Sequence, residues 1–110
     1  MEERIEKSNK IRQKWPDRVP VIVERNTKSS PSLPNIAKTK YLVPVDITLD
    51  IMHMTIRKQL KIDETEAIYL FVNHNTLLSL GSLTMGTIYE NHKDKDGFLY
   101  LTYTSENTYG

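Results

Sequence analysis

The sequence ends in a polar stretch, Thr104-Ser-Glu-Asn-Thr-Tyr-Gly110. A glycine carboxylate on an extended tail suits enzyme-catalysed acyl transfer. Glycine has no side chain to obstruct a catalytic cysteine, and its backbone is unrestricted. In that chemistry the chain is the substrate and the catalyst lies elsewhere. The chain has no nucleophile constellation of its own. There are no cysteines, which removes disulfides, thiolate metal ligands and cysteine catalysis together. His53, His74 and His92 lack paired-ligand spacing, so surface or helix-face histidines are expected and no metal. Asp94 and Asp96 alternate with Lys93 and Lys95 without the remainder of a calcium loop, which predicts a solvated turn. There is no Gly-x-Ser-x-Gly elbow, and the four glycines form no phosphate-binding loop. The chain reads as a non-enzyme without a cofactor.

The elements that must position any site can be read in order. Glu2 to Lys14 predicts a helix, made of strong helix formers with apolar residues at Ile5 and Ile11, and Trp15-Pro16 stops it. Two apolar residues make a thin stripe, so this helix must borrow packing from the body of the domain. Val19 to Glu24 predicts a strand rich in β-branched residues, with Pro20 near its start because proline cannot donate to a ladder. Asn26 to Ala37 reads as a loop, and Lys40 to Pro44 as a short strand with Tyr41 and Val43 on one face and Lys40 and Leu42 on the other. Thr48 to Leu60 carries the clearest helical stripe, Leu49, Met52, Ile56 and Leu60, capped by Asp46 or Thr48. Ala67 to Val72 is apolar on both faces, as a buried strand should be. Asn73 to Leu83 reads as a loop, Thr84 as the cap of a short helix with Met85, Ile88 and Tyr89, Lys93 to Gly97 as a turn, and Phe98 to Tyr103 as the last strand.

Four strands with one long helix between them make a two-layer α+β domain. The expected arrangement is a ubiquitin-like β-grasp: a four-stranded mixed sheet, first and last strands parallel at its centre, one central helix across a face. Residues 1–16 form an N-terminal helical extension, residues 17–110 the β-grasp domain and 104–110 its tail. Other ββαββ sandwiches fit the same pattern. Leu49, Ile56, Leu60, Leu70, Val72 and Leu101 are the expected core.

The net charge of +1 conceals an asymmetry. Residues 1–40 hold ten Lys/Arg against five Asp/Glu, and residues 41–110 hold five against nine. The first third can therefore present a basic face to an acidic partner, or simply a solvated helix face. The strand at Lys40–Pro44, if it lies at the sheet edge, can pair with an extended peptide. No apolar run is long enough to span a bilayer, and the charged start lacks the apolar segment of a secretory signal.

Six segments occur in the order of one known family: residues 10–24, KIRQKWPDRVPVIVE; residues 40–44, KYLVP; residues 56–58, IRK; residues 70–73, LFVN; residues 84–86, TMG; and residues 96–100, DGFLY, followed by Tyr109-Gly110. Over nearly its whole length the chain resembles the autophagy ubiquitin-like modifiers of the GABARAP and microtubule light-chain type. The resemblance implies a cytoplasmic protein whose Gly110 is processed by a cysteine protease where residues follow it. The glycine is then activated and conjugated by dedicated enzymes to phosphatidylethanolamine on the autophagosome membrane. It implies recruitment of adaptors and cargo through acidic aromatic-x-x-aliphatic motifs, and no nucleic-acid partner. One family pocket maps onto Lys7, Ile11, Pro20, Ile22, Lys40, Leu42 and Phe98. The other maps onto Tyr41, Val43, Pro44, Ile47, Met52 and Thr55, with Arg18 nearby.

The chain departs from the family in several places. It begins too late for the family's extra first helix. Thr55 stands where leucine is usual, Gln59 where a basic residue is common and Lys7 where an acidic one is common, and the loop from Lys28 to Ala37 is longer. Two other functions fit the residues. One is an unconjugated peptide-binding module in vesicle traffic or on microtubules, and the other is a modifier joined to protein instead of lipid.

Overall fold

The computed structural model describes residues 2–26, 33–73, 76–78 and 81–105; Gly110 and the segment before it lie outside this range. The elements run α1 (Glu2–Lys14), β1 (Arg18–Arg25), β2 (Lys40–Pro44), α2 (Leu49–Leu60), β3 (Tyr69–Val72), β4 (Thr76–Leu77), α3 (Met85–His92) and β5 (Leu99–Thr104). The strands form one mixed sheet in the order β2-β1-β5-β3-β4. Strands β1 and β5 pair in parallel at its centre, Val21 beside Leu99 and Val23 beside Leu101.

Alternation decides which residues face the core. Val19, Val21 and Val23 of β1, Tyr41 and Val43 of β2, and Leu99, Leu101 and Tyr103 of β5 are buried on one face. The helical stripe of α2, Leu49, Met52, Ile56 and Leu60, closes over that face. All six expected core residues belong to the resulting cluster. The caps of α2 are local. Thr48 accepts a hydrogen bond from the Ile51 backbone N–H at 3.4 Å. At the other end Lys61 turns left-handed (φ 55°) and donates its backbone N–H to the Arg57 carbonyl. The Arg57 guanidinium itself reaches across to the backbone carbonyls of Glu66 (2.5 Å) and Asp63 (3.0 Å), holding the following turn against the helix. Thr84 caps α3, whose first amides bond back to Ile47 and Val45.

The sheet differs from expectation in having five strands. Thr76 and Leu77, inside the expected loop, pair with Val72 and Phe71 as β4. Both are exposed, and a two-residue strand is too short to show an alternating pattern. Asp96 also differs: its turn was expected to be solvated, yet Asp96 is only 4% exposed. Helix α1 lies over this turn, and contacts between segments 88 residues apart leave no trace in local sequence.

Candidate functional site: a groove between helix α1 and strand β2

On the face of the sheet away from α2, α1 leaves an open cavity of ≈ 490 Å³. Its apolar residues are Ile11 of α1, Pro20 and Ile22 of β1, Leu42 of β2 and Phe98 just before β5. The antiparallel register explains their meeting. Pro20 stands opposite Leu42 and Ile22 opposite Lys40, so the outward positions of the two strands form one strip. Pro20 sits one residue before the ladder to β5 begins at Val21, where its missing N–H breaks nothing on that side. Arg4, Lys7 and Ile11 follow one another at helical spacing along the face of α1 that walls the cavity. Strand β2 ends the sheet order and pairs only with β1 among the described residues, so its outer edge is available for another strand. Leu42 is 36% exposed, a large apolar side chain held at that edge.

Among the described residues the charge lining the groove has a single sign. Arg4, Lys7 and Lys10 line it from α1 and Lys40 from β2, with no carboxylate among the described lining residues. Arg4 is engaged by Tyr100, to whose hydroxyl it donates at 2.5 Å, and lies 3.8 Å from the Asp96 carboxylate. Among the described residues Lys7, Lys10 and Lys40 take part in no ion pair. An apolar strip rimmed by cations next to a free strand edge suits an extended peptide that carries both apolar anchors and acidic residues.

All seven residues of the first expected pocket, Lys7, Ile11, Pro20, Ile22, Lys40, Leu42 and Phe98, line this one cavity. Arg4, Lys10 and Val21 line it too. Arg4 lies outside the apolar stripes that mark faces in the sequence, although its spacing to Lys7 and Ile11 is a usable signal. The second expected set is placed differently. Tyr41, Val43 and Met52 are buried in the core, Met52 at 1% exposure. Pro44, Ile47, Thr55 and Arg18 are half-buried. The Thr55 hydroxyl donates to the Ile51 carbonyl, and the Arg18 guanidinium lies 5.8 Å from the centre of the Trp15 ring. Of this set only Tyr41 borders the groove. Burial, and next the neighbouring Tyr103, push the Tyr41 phenol above its ordinary range. Its hydroxyl is buried without a hydrogen-bond partner among the described residues.

The family model described as autophagy protein Atg8, ubiquitin-like, matches residues 3–110. The chain belongs to this family. Autophagy-related protein 8a of Arabidopsis thaliana is 49% identical over 110 residues, covering 100% of this chain and 87% of the relative. Autophagy-related protein 8e of the same plant is 50% identical over 109 residues, covering 99% and 86%. Autophagy-related protein 8B of Oryza sativa subsp. japonica is 47% identical over 110 residues, covering 100% and 89%. Membership in the Atg8 family accords with the fold described above: a mixed sheet crossed by α2, with α1 as an N-terminal helix. Among the described residues no helix is long and apolar enough to cross a membrane.

Proposed function

We propose that this Atg8-family protein is a modifier conjugated through Gly110 to phosphatidylethanolamine, and that it recruits acidic aromatic-x-x-aliphatic motifs to autophagosomal membranes. The observation that carries the recruitment half is the groove. It joins an apolar strip, three lysines without an ion pair among the described residues and an open strand edge at one place. A motif peptide adds to β2 as a strand through its backbone, sets its aromatic anchor among Ile11, Ile22, Leu42 and Phe98, and meets Lys7, Lys10 and Lys40 with its acidic residues. Tyr41, Val43, Pro44, Ile47, Met52, Thr55 and Arg18 would receive the aliphatic anchor. That requires side chains now closed into the core to shift, so this half of the recognition must be induced.

Family membership and the Tyr109-Gly110 pair support the conjugation half. Two acyl chains anchor a protein far more firmly than one, so conjugation to a phospholipid supplies stable membrane attachment. The partners are then an activating and a conjugating enzyme, a processing cysteine protease, and adaptors with acidic motifs. The protein works as substrate and platform and not as an enzyme, in the cytoplasm before conjugation and on the autophagosome membrane after it. Intact mass of the protein recovered from cells tests this directly. A phospholipid adduct that disappears when Gly110 is deleted is expected. An unmodified chain would favour an unconjugated binding module, and an isopeptide-linked protein a protein modifier.

A further inference from the structure

Helix α1 forms one wall of the groove, yet Ser8 is its only fully buried residue, and that residue is polar. Ile5 and Ile11 are half-buried. A wall with so little apolar burial must be held by other contacts: Arg12 ties its end to the Arg18 carbonyl, and the contacts of Arg4 and Ser8 converge on Asp96. The Ser8 hydroxyl donates to the Asp96 carbonyl at 2.7 Å. One carboxylate oxygen of Asp96 accepts from the Phe98 backbone N–H at 2.9 Å. The other accepts from the Tyr100 hydroxyl at 2.5 Å and lies 3.8 Å from the Arg4 guanidinium. Arg4 closes the ring by donating to the same Tyr100 hydroxyl. The next residue, Gly97, has φ +86°, and a Cβ there would collide with Ser8 Oγ, so glycine is needed for the helix to come this close.

From this geometry we infer that Asp96 is a positioning residue for the groove: it fastens the α1 wall to the Phe98 side, and groove shape depends on it. One carboxylate grips the backbone of Phe98, which lines the groove, and through Arg4 the helix that carries Lys7, Lys10 and Ile11. Asp96 itself does not line the groove. It acts by keeping wall and floor at one separation, and by occupying Arg4 it leaves the three lysines as the cations an acidic ligand meets. A buried carboxylate is tolerated because its oxygens are matched by these donors. Since α1 is tied by a few polar contacts, loosening them frees the helix without opening the core beneath α2.

The effect on binding rests on the groove being the peptide site; the fastening of α1 does not. The test uses Asp96→Asn and, as a milder variant, Ser8→Ala, each measured by amide hydrogen exchange and by anisotropy titration with a fluorescent acidic aromatic-x-x-aliphatic peptide. Asp96→Asn should speed exchange of the hydrogen-bonded α1 amides at least tenfold while α2 amides keep the parent rate. It should weaken peptide binding about fivefold. Ser8→Ala should move both in the same direction by less. Adding Arg4→Gln to Asp96→Asn should speed α1 exchange little further, because both groups belong to one network. Unchanged α1 exchange in both variants would overturn the inference, as would faster α1 exchange with unaltered affinity. Equal acceleration in α2 would make Asp96 a general stability residue and overturn it too. If the parent binds no peptide, the proposed recruitment function fails, while the α1 exchange rates still decide whether Asp96 holds the helix.

Discussion

The two long helices are nearly equal in length, 13 residues for α1 and 12 for α2, and are held in opposite ways. Helix α2 buries four large apolar side chains, Leu49, Met52, Ile56 and Leu60, against the inner face of the sheet. Helix α1 buries Ser8 alone and is tied down along its length by polar groups: Arg4 near its start, Ser8 at its middle and Arg12 near its end. Arg12 donates to the Arg18 carbonyl at 2.5 Å and lies 5.3 Å from the centre of the Tyr89 ring. Apolar burial is non-directional and fixes a fold; a few polar contacts fix a position and can be exchanged for others. The sheet thus has one face filled chiefly by apolar burial beneath α2 and one face whose groove stands open for a ligand.

The largest expected effect strikes the α2 side. Ile56 is fully buried, and Ile56→Ala should cost about 2–4 kcal/mol of unfolding free energy, from lost burial plus a cavity. The counterpart on the other helix, Ile11→Ala, should cost less than half as much, since Ile11 is only half-buried. Chemical denaturation of both variants checks the pair, and equal losses would erase the distinction between the helices.

Substitution at the groove should act on binding and spare the fold. Leu42→Asp places a charge on the apolar strip and should weaken binding of an acidic motif peptide more than tenfold, about 1.4 kcal/mol. Because Leu42 is partly exposed, the unfolding midpoint should scarcely move. A titration showing parent-like affinity would remove Leu42 from the site.

Part of the alkaline pH dependence should come from the core face. The Tyr103 phenol is raised above its ordinary range, first by burial, while it donates to the Pro34 carbonyl at 2.6 Å and accepts from the Ile36 N–H at 2.9 Å. The folded state therefore holds this proton more tightly than the unfolded state. Its contribution is complete below the ordinary phenol value of about 10 and is lost as pH rises through the higher folded value. Stability measured between pH 9 and 12 should fall, and Tyr103→Phe should flatten that fall. An identical profile in the variant would show that Tyr103 is not the titrating group. Smaller still is the expected effect of Lys40→Glu, which acts through charge at an exposed rim. Added salt should weaken acidic-peptide binding to the parent and strengthen it in the variant, because salt screens attraction in one and repulsion in the other.

The sequence made the α2 side legible because burial there follows periodicity. Leu49, Met52, Ile56 and Leu60 at steps of three and four, and the alternating valines of β1, announce their faces directly. Half of the groove was legible for the same reason: Pro20, Ile22, Lys40 and Leu42 occupy the outward positions of two adjacent strands. What holds α1 in place was not. Asp96 reads as one more charge in a Lys-Asp-Lys-Asp turn, and only tertiary contact with Ser8, Arg4 and Tyr100 gives it a buried role. Its bond to the Phe98 N–H, two residues on, is a turn signal that sequence does carry. Strand β4 was missed because two exposed residues have no pattern to show.

Mapping a bound peptide onto the two faces tests the account most directly. In a titration of the protein with an acidic aromatic-x-x-aliphatic peptide, followed by amide chemical shifts, the largest changes should fall on Lys40–Pro44 and on Lys7, Ile11, Ile22 and Phe98. The exposed side of α2, where Ile51 and Met54 present another apolar surface, should change little. Changes centred on Ile51 and Met54, with the α1–β2 groove silent, would contradict the assignment of the open face as the binding face.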